Sequence, residues 1–270
     1  MKHAFLFLTL TLTAAVHADA MSAIEAFKDG NYEQARTLGL HEATAEGYTV
    51  ACRSSLVIAG YYKQDKSATT ELHRALSECI KALDVDPGYF EANISFAIAL
   101  SFEGKRKRKT FYPKAARTLL EKMIVTHPEN PLGYGALGAW HSQVSSAGLF
   151  ARLALKASRK DAKAFFELSL EKGPVDFPLK VEQLKYLAVG TDDEQKQAVI
   201  LANELGAEAL NNSFELLLQK HAMNILAALN TGEKKTIKEA VKQATAFYNA
   251  KDWDEPNAYP KDKIPAAFLP

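Results

Sequence analysis

The chain has 270 residues, 47% of them hydrophobic and 24% charged, enough apolar content to bury a large core and too much for a disordered chain. Its net charge of +1 excludes a globally basic nucleic-acid binder and leaves room only for local basic patches. No Gly-x-Ser-x-Gly elbow and no Gly-rich phosphate loop occurs, and the histidines lack metal-ligand spacing, so the residues predict no catalytic centre, metal or cofactor.

Lys2, an apolar run from Ala4 to Val16 and the small-residue sites Val16-His17-Ala18 and Ala18-Asp19-Ala20 predict an export signal over residues 1–20. Cleavage is expected after Ala18 or Ala20, giving a periplasmic or secreted protein. No later segment approaches the roughly 20 apolar residues of a membrane span.

A recurring pattern then organises the chain. A worn first unit survives as Gly30-Asn31-Tyr32-x2-Ala35. The next carries Leu56-x2-Ala59-Gly60, then Ala75-x3-Cys79 and Pro87; its first helix is predicted to reach about Lys63 and its second to begin near Ala68. The third reads Asn93-x2-Phe96-Ala97-x2-Leu100, Ala116-x3-Leu120, Pro128, and the fourth Tyr134-x2-Leu137-Gly138-x2-His141, Ala162-x3-Phe166, Pro174. Alanine and proline are 12 residues apart in the last three units. Small residues belong where helices touch, large ones fill the holes beside them, and proline stops the second helix. Further helices are predicted over 179–189, 192–205, 207–229 and 233–250, with Thr191-x2-Glu194 as a capping box.

This pattern resembles the tetratricopeptide repeat, with tyrosine and histidine in place of its aromatics. The resemblance covers roughly residues 21–175. It implies an all-α, right-handed superhelical array of about five antiparallel hairpins over residues 21–250. Leu137-Gly138-Ala139-Trp140 followed by a long insert looks like bacterial relatives of the regulator of microtubule dynamics family. The T component of a tripartite periplasmic transporter is a second likeness. Such arrays imply a scaffold binding protein partners. The alternative is an accessory subunit that holds a small apolar or anionic ligand inside the superhelix. An enclosed cavity with Arg or Lys at its mouth would favour the second.

Two long inserts depart from the repeat and fall on one edge of the array. They bring Lys105, Arg106, Lys107, Arg108 and Lys109 together with Arg152, Lys156, Arg159, Lys160 and Lys163, a candidate basic rim for an anionic surface or acidic partner. The opposite edge holds Asp84, Asp86, Glu129 and Asp176. First-helix residues Asn93, Leu100, Tyr134 and His141 are the candidate peptide contacts, and His221 reads as a packed core histidine. Cys52 and Cys79 lie level across a turn centred near residue 65, so they are either a disulfide or two buried thiols. Gly133 to Gly138 matches Gly-x-Gly-x-x-Gly, but a turn and not a strand precedes it, so helix packing explains the glycines. Residues 251–270, rich in proline and aromatics, are expected to cap the last helix or to offer an extended segment.

Overall fold

The computed structural model describes residues 21–248 and 257–269; the expected export signal lies outside them. Thirteen α-helices and no strand occur among the described residues: α1 Ala23–Lys28, α2 Tyr32–Glu42, α3 Ala45–Val57, α4 Asp65–Val85, α5 Phe90–Lys107, α6 Phe111–Thr126, α7 Pro131–Ser146, α8 Leu149–Ala154, α9 Arg159–Lys172, α10 Phe177–Ala188, α11 Asp192–Ala207, α12 Ser213–Thr231 and α13 Lys234–Gln243. A π-helical turn, Ile58–Tyr62, prolongs α3. None of these helices is long and apolar enough to cross a membrane.

Helix starts follow the side chains that satisfy the free N–H groups of a first turn. Ser22 and Thr191 form capping boxes with Glu25 and Glu194. Asn130, Ser158, Asp176 and Asn212 each accept a backbone N–H from inside the helix they open. The expected helix 207–229 begins only at Ser213, because Asn212 caps there and residues 208–212 break from the helix above. Helix α13 ends at Gln243 and does not run on to residue 250.

Among the described residues the helices pack as six sequential pairs, against the about five hairpins expected: α1 with α2, α3 with α4, α5 with α6, α7 with α9, α10 with α11 and α12 with α13. Each leading helix also touches the leading helix of the next pair. The repeat alanines sit at these contacts: Ala75, Ala116 and Ala162 are fully buried, as is Cys79, and Phe166 is nearly so. A Cβ on Gly138 would lie 3.2 Å from Phe166, so glycine there sets the approach of α7 to α9. Cys52 and Cys79 are joined as a disulfide with Cα atoms 5.3 Å apart, inside this packing.

Two contacts lie outside the repeat pattern. The last pair returns to the first: α12 touches α1, with Phe214 5.9 Å from Tyr61 and 6.5 Å from Phe27, ring centre to ring centre. Beyond α13, the Phe247 N–H donates to the Gly60 carbonyl at 3.2 Å and its ring lies 4.2 Å from that of Phe102. Residues 257–269 do not cap the last helix as expected. They run over α4, α5 and α6, burying Tyr259, Ile264 and Phe268 in the core of those helices.

Candidate functional site

Helices α5, α7, α10 and α12 bring a set of polar side chains within reach of one another. Lys185 on α10 is buried and pairs with Glu182 one turn earlier, and Gln143 of α7 donates to the same carboxylate at 3.0 Å. Lys105 on α5 faces this group without an ion-pair partner among the described residues. Burial drives its amine down to about 8, the charge of Lys185 adds to this, and Glu182 opposes it. His221 on α12 lies 5.8 Å from the Tyr61 ring; burial, then Lys185, lowers its affinity for a proton. Tyr61 is pushed above the usual phenol range by burial, then by Glu182.

A second set stands nearer the edge where successive pairs are joined. Arg53 on α3 lies over the Phe27 ring at 4.9 Å. Burial disfavours its charge, and Asp176, Glu91 and Tyr89 offset that. Burial raises Asp176, against the Leu179 N–H and Arg53, which lower it. Beside Asp176 a recess of about 610 Å³ runs between the α6–α7 turn and the α9–α10 turn.

Arg53, Lys105 and Asp176 are exposed to water yet penalised by burial. Burial disfavours the charged form of each of the three groups. Arg53 and Asp176 act on each other's charge, and the charges of Lys185 and Glu182 act on Lys105. Chemically, the groups about Lys105 and Lys185 include two amines, the Glu182 carboxylate and the Gln143 amide.

The residues expected to contact a peptide fare differently. Asn93 is fully buried and donates to the carbonyls of Pro87 at 3.1 Å and Tyr89 at 2.8 Å, tying down the turn before α5. Leu100 is buried core. His141 is buried against Phe165, ring centres 5.5 Å apart, and accepts the Ser158 N–H at 3.4 Å. These three cannot front an open groove, because each leading helix spends that face on its neighbours. Tyr134 is half-buried and donates to the Pro128 carbonyl at 3.0 Å.

The basic rim is also thinner than its sequence. Arg106 is buried, bonded to Glu103 at 2.8 Å and to the Asn257 carbonyl at 2.7 Å, so it anchors the tail. Lys105 turns inward. Arg159 lies over the Tyr186 ring at 4.2 Å and bonds Glu194 at 3.1 Å, which makes it a fastener between α9 and α11. Lys107 is half-buried, Lys163 is exposed and lies 3.7 Å from Glu167, and Arg108, Lys109, Arg152, Lys156 and Lys160 stay exposed.

No family model, curated protein or solved structure matches this chain. The interior residues Arg53, Tyr61, Glu182 and Lys185 escape the sequence reading. Their one signal is a charge within an apolar helix, as in Cys52-Arg53-Ser54 and Leu184-Lys185-Tyr186.

Proposed function

We propose that this chain is an exported, tetratricopeptide-like superhelical array that binds a small carboxylate or similar anion in its interior. Binding rather than turnover is its role, in the manner of an accessory subunit that holds a ligand for a transporter. The observation that carries this reading is Lys105: a cation without an ion-pair partner among the described residues, penalised by burial and within reach of the Lys185 and Glu182 charges. An anion there would gain a charge-assisted hydrogen bond in poorly screened surroundings.

Titration calorimetry with straight-chain mono- and dicarboxylates tests it. Lys105→Ala should weaken the best binder at least tenfold, since a hydrogen bond to a charged group contributes about 1.5–3 kcal/mol. Affinity should also fall as pH rises above about 8, where the free amine loses its proton. Absence of binding across the series, or equal binding by wild type and Lys105→Ala, overturns the proposal.

The reading as a scaffold for protein partners keeps one support, the recess between Pro128–Leu132 and Pro174–Asp176, with Tyr134 bonded to its rim at Pro128. Capture of a partner that survives Lys105→Ala but is lost on Tyr134→Ala would favour it.

A further inference from the structure

The insert between α7 and α9 carries a feature that neither the interior site nor the core explains. Helix α8 has no buried residue. Leu149, Phe150 and Leu153 are 63%, 80% and 66% exposed, and their spacing places them on one side of a short helix. The insert is fixed at its base, where Leu155 and Ala157 are buried and the Leu155 carbonyl accepts from Arg117 at 3.3 Å. Three large apolar side chains are therefore held out into water on an anchored tip, an arrangement that costs solubility unless something covers it.

The charge around the tip indicates what that is. From Asn130 to Lys160 the chain contains no aspartate or glutamate, while Arg152, Lys156, Arg159 and Lys160 follow one another through and beyond α8. Arg159 is spent on Glu194; Arg152, Lys156 and Lys160 are exposed. Arg108 and Lys109, at the end of α5, stand exposed at the same end of the array by the alternation of helix directions. We propose that this tip docks on an anionic lipid bilayer, with Leu149, Phe150 and Leu153 entering the acyl boundary and the cations meeting the headgroups.

A second copy of the chain fits the surface poorly. A two-fold contact would bring the cations of one tip against those of the other. Three side chains on a six-residue helix also fall far short of the roughly 800 Å² per partner of a stable protein interface. A bilayer demands neither shape complementarity nor area, only apolar insertion with positive charge beside it. Each cation near an anionic surface raises partitioning roughly fivefold.

The full chain is sedimented with phosphatidylglycerol vesicles and, separately, with phosphatidylcholine vesicles. The expected result is at least tenfold stronger partitioning to phosphatidylglycerol, weakened by added salt. Phe150→Asp with Leu153→Asp should lower it at least tenfold, and Arg152→Glu with Lys156→Glu and Lys160→Glu should abolish the preference. These side chains are exposed, so helical circular dichroism and melting should not move. Phe150→Trp gives a gain of signal instead: a blue shift of emission on adding phosphatidylglycerol vesicles. The proposal is overturned if wild type does not prefer phosphatidylglycerol, or if the apolar variant still binds as wild type does. It is equally overturned if wild type is a stable oligomer that Phe150→Asp disperses, which would put a second copy on the tip. None of these outcomes depends on a ligand in the interior.

Discussion

Phe268→Ala tests whether the C-terminal segment belongs to the cooperative core. Phe268 is 4% exposed, its ring lies 5.7 Å from that of Phe96 in an edge contact, and Lys122 stands over it. Deleting a buried phenylalanine costs the transfer energy of the lost atoms and the cavity left behind, together about 3–5 kcal/mol. In a chain of this size each kcal/mol lowers the melting temperature by roughly 2–4 °C, so a fall of about 6–20 °C is expected. The segment is also tied upstream, where the Tyr259 N–H donates to Glu103 at 2.8 Å and Tyr112 donates to the Tyr259 carbonyl at 2.6 Å. Weakening its end should therefore loosen without detaching it. The assay is thermal melting by circular dichroism, alongside timed trypsin digestion read at Lys261 and Lys263. A melting temperature within about 2 °C of wild type refutes the reasoning. Faster cleavage at an unchanged melting point would mean that the segment folds on its own account and contributes nothing to the array.

Reducing the Cys52–Cys79 bond reopens a loop of sequence separation 27, worth about 3.5 kcal/mol by the chain-entropy relation. Both cysteines are fully buried, so a reductant should act slowly on the native protein and quickly in urea; equal rates in thiol-trapping mass spectrometry contradict this. Gly39→Ala places a Cβ 2.2 Å from the Gly47 carbonyl oxygen, a backbone atom that cannot swing aside, so α2 and α3 must part at a cost of about 1–3 kcal/mol or more. An unchanged urea midpoint rules that out. Burial, reinforced by Arg117, holds His141 below its ordinary 6.5, while Asp161 and Glu121 oppose the shift. The unfolded chain therefore binds the proton first as pH falls below about 6.5, and stability is lost from there down to the folded value. His141→Gln should flatten urea midpoints measured between pH 7.5 and 5; an unaltered slope excludes His141 as its source.

Features set by one or two turns of chain were legible in the sequence. Ala75, Ala116 and Ala162 fall at helix contacts because a small residue there lets backbones approach, and their spacing to a terminating proline is local. The capping box at Thr191 and the level of Cys52 with Cys79 across one turn are local in the same sense. The run Lys105–Lys109 misled because composition ignores the 100° that a helix turns per residue. Lys105 and Arg106 must point apart, and Glu103, three residues before Arg106, was the visible partner that takes it into the core. The groove residues misled for a related reason. Asn93, Leu100 and His141 satisfy the repeat's periodicity, but a leading helix with neighbours on both sides has little of that face left for a ligand.

What no local pattern could express is closure. An open array of hairpins exposes an apolar face at each end and needs polar caps to stay soluble. Here Phe27 and Tyr61 from the first two pairs meet Phe214 from the last. The tail closes over the outside by contacts spanning 147 to 182 residues, Tyr112 to Tyr259 and Ser77 to Tyr259. Such pairings leave no periodic trace, because each is a single event between distant segments. Lys105 and Lys185, from α5 and α10, stand close enough for the charge of Lys185 to weaken Lys105's hold on its proton, while Glu182 pairs directly with Lys185. That juxtaposition joins helices far apart in the sequence, so no local pattern marks it.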